Sequence, residues 1–237
     1  MSEPGPRLRS LGTWTKRETM FIVIIERALQ LLQAESGLPE SECDLNRRLY
    51  FELLKASRDL YPQDPVPPMM ECNNQPDPDD QARATREHKR PDFQWCYLDK
   101  YELDPERSSR QFTVECKRLG APRKESWIFN SNYVTNGICR FRDPVWGYGQ
   151  RFPSGAMVGY WQSMELVHVL KEVNDEAARN TIPDIIPRGK QKLGIHFSEH
   201  SFDRSFPISP FRLWHLWIDL RTTTIRNRGS ALSQADF

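Results

Sequence analysis

The chain has 237 residues, 38% of them hydrophobic and 27% charged, with 33 Lys and Arg against 32 Asp and Glu for a net charge of +1. This length suits one domain around a single core, and the near-balance of charge excludes a strongly basic nucleic-acid coat or an acidic mimic while permitting a local basic patch. Five cysteines (Cys43, Cys72, Cys96, Cys116 and Cys139) without C-x-x-C spacing argue against a cysteine zinc site and for free thiols in a reducing compartment.

The first eighteen residues lack the apolar core of a signal peptide, and FIVII at 21–25 is too short to cross a bilayer. A cytoplasmic protein with no membrane association is expected. A helix is predicted over 15–34, where Ile22, Ile25, Leu29 and Leu32 recur at helical spacing before Gly37 and Pro39 close the segment. A second is predicted over 41–60: SECD suits a capping box or an acidic first turn, and Leu45, Leu49, Leu53 and Leu60 share a stripe. Residues 61–80 hold six prolines and no periodicity, which predicts an irregular loop suited to docking or gating.

Two strands follow, DFQWCYLD at 92–99 and RQFTVECK at 110–117, joined by a loop with a D-P turn, which predicts a hairpin. SNYVTNGICRFR at 131–142 suits a helix weakened by Gly137, and 143–156 reads as a loop. A short strand at 156–161 and a helix over 163–180 come next, then strands at 193–200 and 211–220. The order ααββαβαββ predicts an α/β protein with a mixed sheet flanked by helices. The whole of 1–237 reads as a single domain, with N-terminal helices over about 15–60 and a Pro-rich loop over about 61–80.

The chemistry concentrates in FTVECKRLG, at 112–120. Side chains two apart in a strand share a face, so Glu115 and Lys117 point one way and Cys116 the other. Pro91-Asp92 opens the preceding strand. If the two strands are neighbours, Asp92 and Glu115 converge at one end of the sheet and repel unless a cation lies between them. A hard ion such as Mg²⁺ (or Mn²⁺) suits such a set, with oxygen ligands at about 2.1 Å and the Cys116 carbonyl as a third protein donor. Lys117 then stands over the ion's water, as in-line phosphodiester hydrolysis requires.

Pro91-Asp92 followed by Glu115-Cys116-Lys117 resembles the signature of the PD-(D/E)xK nuclease superfamily. The resemblance implies a restriction-endonuclease-like fold, Asp92 and Glu115 as metal ligands, and Lys117 as catalytic base or transition-state stabiliser. It also implies a further acidic ligand from a preceding helix, for which Glu42 is the candidate, ahead of Glu52 and Glu26. YGQRFPSGAMVGYW at 148–161, with HSFDRSFPI and RLWHLWIDL after it, is similar to small nucleases of prokaryotic defence against phage. The expectation is a metal-dependent nuclease acting on DNA in preference to RNA, controlled by a partner protein or by homo-oligomerisation. The alternative is a catalytically idle nuclease-fold subunit that binds nucleic acid or a partner.

Arg90, Arg118, Arg123 and Lys124 are the candidate phosphate contacts, within wider basic clusters at 83–90, 140–151 and 188–192. Trp146, Tyr148, Tyr160 and Trp161 are candidates for base stacking, with core packing favoured for Tyr160 and Trp161. His196 and His200 would suit zinc on a helix, but on a strand they stand about 13 Å apart. Ser198, His200 and Arg204 are expected to form a polar surface near the phosphate path.

Overall fold

The computed structural model describes residues 6–122, 128–187 and 194–221. Helix α1 spans Pro6–Ala34, beginning upstream of the expected start. Its buried Phe21, Ile24, Ile25, Ala28, Leu29 and Leu32 fall at the three- and four-residue intervals that make one apolar face. Helix α2 covers Glu42–Leu60, and the Ser41 hydroxyl caps it by accepting from the Asp44 amide at 3.2 Å. Leu45, Leu49 and Leu53 are buried, whereas Leu60, in the last turn, is exposed.

The Pro-rich segment is irregular except for strand β1, Met69–Met70, and is followed by a single helical turn, α3, at Arg83–Arg86. Strands β2 (Phe93–Leu98) and β3 (Ser109–Leu119) form the antiparallel hairpin expected from the sequence. The segment predicted as one helix over 131–142 is built as α4 (Phe129–Tyr133), a π-helical turn (Val134–Ile138) and α5 (Cys139–Arg142). Strand β4 (Ser154–Trp161), helix α6 (Leu166–Arg179), and strands β5 (Ile195–Phe202) and β6 (Phe211–Asp219) complete the chain.

The six strands form one mixed open sheet in the order β1-β2-β3-β4-β6-β5. The β3–β4 and β4–β6 pairs are parallel and the others antiparallel. Every residue of β4 is buried, as a central strand covered on both faces must be. Helices α1 and α2 pack on one face with Phe93, Trp95, Phe112, Val114 and Cys116. The α4–α5 segment and α6 pack on the other with Leu119, Met157, Leu213 and Trp217. Phe21, Trp95 and Phe112 meet with ring centroids 5.2–6.3 Å apart, which anchors α1 to the β2–β3 hairpin. Among the described residues no helix is long and apolar enough to cross a membrane. All five cysteines are unpaired.

Candidate active site

The hairpin register pairs Phe93 with Val114, so extending it by one residue sets Asp92 opposite Glu115. The β3 side chains alternate across the sheet. Phe112, Val114 and Cys116 enter the α1–α2 core, while Glu115 and Lys117 lie on the opposite face and are both buried. A strand that is apolar on one face thus carries an acid and a base inside the protein on the other. Burial of charge at this depth requires partners.

Those partners converge on the Lys117 ammonium. Nζ donates to Glu42 Oε1 at 2.8 Å and to the Cys116 carbonyl at 2.7 Å. It lies 3.4 Å from Glu115 Oε2 and 3.8 Å from Asp92 Oδ2. Burial opposes the charge on Lys117, but Glu115, Asp92 and Glu42 together raise its pKa above the ordinary lysine value. Glu115 has no exposed surface. Burial, reinforced by the Asp92 charge, pushes its pKa up to about 8 against the opposing pull of Lys117 and Arg140. Its Oε2 accepts from Arg140 Nη1 at 2.8 Å, while its Oε1 is buried without a partner among the described residues.

Asp92 is positioned from two sides. Its Oδ2 accepts the Cys116 amide at 2.6 Å, and its Oδ1 accepts from Asn46 Nδ2 at 3.0 Å. Asn46 Oδ1 in turn accepts from the buried Tyr160 hydroxyl at 2.8 Å. The helix stripe explains how α2 takes part. Glu42 and Asn46 precede Leu49 and Leu53 at helical spacing, so the face that enters the core also presents an acid and an amide to the sheet end. Asn46 was not singled out in the sequence; its signal is a polar residue on that apolar stripe. Arg140 was visible only as one member of a basic cluster.

The donor set suits a hard divalent ion. It offers Asp92, Glu115 with a free buried oxygen, and the Cys116 carbonyl, with Glu42 turned to Lys117. The ammonium stands among these oxygens, and among the described residues no group of three or more His, Cys, Asp or Glu side chains is arranged to hold a metal.

The remaining candidates separate. Arg90 is exposed and donates to Asn73 Oδ1 at 3.1 Å. Arg118 donates to Gln162 Oε1 at 2.7 Å and lies over the Phe129 ring. Arg123 and Lys124, with Arg188, Lys190 and Lys192, lie outside the described residues. Arg86 pairs with Asp80, Arg142 donates to the Asn180 carbonyl, and Arg151 to the Arg107 carbonyl, so these three tie loops together.

Ser198, His200 and Arg204 do not form a polar surface: all three are buried. The Arg204 guanidinium donates to the carbonyls of Ile208, Phe141, Tyr148, Gly149 and Phe152, so it organises two loops. His200 pairs with His215 at 2.9 Å, and His215 Nδ1 lies 2.6 Å from the Tyr133 hydroxyl. The Trp217 indole can only donate, and it does so to Tyr133 at 2.8 Å. Tyr133, His215 and His200 thus form a hydrogen-bonded chain inside the core, in which His200 Nε2 has no partner among the described residues.

No family model, curated protein or solved structure matches the chain. The site is accordingly read from its own chemistry.

Proposed function

We propose that the chain is a divalent-metal-dependent nuclease of the PD-(D/E)xK type, with a restriction-endonuclease-like core, that hydrolyses phosphodiester bonds in DNA. The observation that supports this most strongly is the buried convergence of Asp92, Glu115 and the Cys116 carbonyl around Lys117, with one Glu115 oxygen unpartnered. Asp92, Glu115 and the Cys116 carbonyl would hold Mg²⁺ or Mn²⁺, with Glu42 at the margin. When bound, the ion supplies positive charge for the phosphate oxygens and lowers the pKa of water.

The chain's own groups do the rest. Asn46 and the Cys116 amide fix Asp92, and Arg140 holds Glu115 Oε2, the oxygen 3.4 Å from Lys117 Nζ, which leaves Oε1 without a partner among the described residues. Lys117, kept protonated by three facing carboxylates, acts as a donor that orients the attacking water or stabilises charge on the phosphate. The proton of the nucleophile is not its to take while those carboxylates face it. The similarity to defence nucleases supports an effector of antiviral defence in the cytoplasm, restrained by a partner or by assembly.

The second reading, an idle nuclease-fold subunit, draws on the same cluster: its ion pairs already satisfy most of the charges without a metal. Cleavage decides between them. Plasmid, linear duplex, single-stranded DNA and RNA are incubated with Mg²⁺ or Mn²⁺ and wild-type or Lys117→Ala protein. The proposal expects metal-dependent cutting of DNA, reduced in the variant by about 100-fold or more. No cutting by either protein, across a range of protein concentrations, would favour the idle subunit.

A further inference from the structure

Of the four aromatic residues suited to base stacking, Tyr148, Tyr160 and Trp161 are buried, whereas Trp146 is half-buried. Trp146 stands beside the site. Its ring centroid lies 4.2 Å from Cζ of Arg140, the guanidinium that donates to Glu115. It also lies 4.6 Å from Nζ of Lys89, three residues before Asp92.

The ring is held firmly. Gly147 turns the chain directly after it at φ +63°, a left-handed conformation that favours glycine. The indole packs edge-on to Tyr148 at 5.7 Å. The buried Asn74 side chain donates to the carbonyls of Trp146 and Gly147 at 3.3 Å, and the Asn74 amide donates to the Lys89 carbonyl at 2.8 Å. One buried amide residue thus ties the loop bearing Trp146 to the loop bearing Lys89, Arg90 and Asp92.

We propose that Trp146 receives the unpaired base of a nucleotide next to the scissile phosphate, so that the site takes single-stranded DNA; this rests on the nuclease reading above. An indole face stacks on any base, and a cation that lies over the ring, as Lys89 does, suits an adjoining phosphate once the base takes its place. Lys89, a flexible ammonium, exchanges the ring for a phosphate as the base arrives. Arg90, exposed on the same loop, extends the cationic track. A base inside a duplex has both faces covered by its neighbours and cannot reach a half-buried ring, so the recognised strand must be unpaired at this point.

The test is fluorescence anisotropy in EDTA, which withholds metal and so prevents hydrolysis. A fluorescein-labelled single-stranded oligodeoxynucleotide is compared with its duplex. The wild type is expected to bind the single strand more tightly. Trp146→Ala weakens that binding roughly 5- to 100-fold and leaves duplex binding unchanged. Trp146→Phe keeps a ring against Tyr148 and retains most of the affinity, and Lys89→Gln lowers the slope of log affinity against log salt by about 1.

Equal single-strand affinity in the wild type and a folded Trp146→Ala, or a preference for duplex, overturns the inference and leaves the nuclease reading standing. If Trp146→Ala does not fold, Trp146→Phe and Lys89→Gln decide it: an unchanged salt slope with equal affinity for both substrates overturns it. A wild type that binds neither substrate overturns the inference, and the nuclease reading is then decided by the cleavage assay with Mg²⁺ or Mn²⁺.

Discussion

A carboxylate with no exposure and one unpartnered oxygen is costly unless something arrives to use it. At Glu115 the cost is visible as a pKa pushed up to about 8 by burial and the Asp92 charge. Asp92 is the better-satisfied partner, because Asn46 and the Cys116 amide both donate to it. Asn46 touches no candidate substrate atom; it positions Asp92. Replacing it with Ala is expected to weaken Mn²⁺ binding about 10- to 100-fold, as loss of a ligand's supporting hydrogen bond does elsewhere. Calorimetric titration checks this, and Asn46→Asp, which retains an acceptor for Tyr160 but loses the donor to Asp92, should bind no better than the Ala variant. The sequence made Glu115 and Lys117 legible because strand periodicity places an acid and a base on one face, and Asp92 because Pro91-Asp92 opens the neighbouring strand of the expected hairpin. It left Asn46 and Arg140 obscure because their roles depend on which helix end meets the sheet, a tertiary fact that no local spacing encodes.

At the scale of elements, the hairpin and the two N-terminal helices were readable from periodicity, since a two-residue or 3.6-residue repeat is written directly in the apolar pattern. The helix over 131–142 was only partly so. Its π-turn places Gly137 where an added Cβ would meet the Met157 methyl at 2.4 Å and Lys117 Cγ at 3.4 Å. The glycine that weakens the helix prediction lets the turn pack closely on the Met157 methyl beside Lys117, and π-turns of this kind often mark functional sites. Arg204 was misread for a related reason. A lone arginine in a loop looks like surface, yet its five carbonyl acceptors and the Phe211 ring 4.0 Å away show a buried organiser. Its guanidinium donates to the carbonyl of Phe141 in α5, one residue beyond Arg140, and to three carbonyls of the loop after it. Arg204→Met would strand those carbonyls and is expected to destabilise the fold by about 3 kcal/mol or more. Urea denaturation measures it, and a loss below about 0.5 kcal/mol, the scale of an ordinary surface change, would show that the loops do not depend on the guanidinium.

The whole molecule places its two costly polar clusters on the same sheet face. Glu115 on β3, Met157 on β4 and His215 on β6 occupy one cross-strand row. The clusters respond to pH in opposite senses. Glu115 is raised from 4.5 to about 8, so the native state holds a proton that the unfolded chain has released, and metal-free protein loses stability as pH rises from about 4.5 to 8. His200 is lowered from 6.5 to about 4 by burial, and His215 is also lowered by burial and by its neighbour. The unfolded chain there binds the extra protons, so this contribution is lost as pH falls from 6.5 towards 4. Thermal melts of metal-free protein should therefore peak between these limits, near pH 6–7. Glu115→Gln is expected to flatten the alkaline limb and leave the acid limb intact; an alkaline limb unchanged by that substitution would remove Glu115 from the account. The mixed sheet with helices on both faces was legible from element order, but the meeting of distant strands in one row was not, because β5 and β6 return to the sheet out of sequence order.

The central claim is that Asp92 and Glu115 hold a divalent ion at which DNA is cut. The most direct measurement is the rate of DNA hydrolysis as Mn²⁺ is titrated into the wild type, Asp92→Asn and Glu115→Gln. The account predicts saturable metal dependence in the wild type and, in each variant, loss of activity by about 100-fold or more at saturating metal. Hydrolysis that proceeds without metal, or that survives both substitutions unchanged, would contradict it.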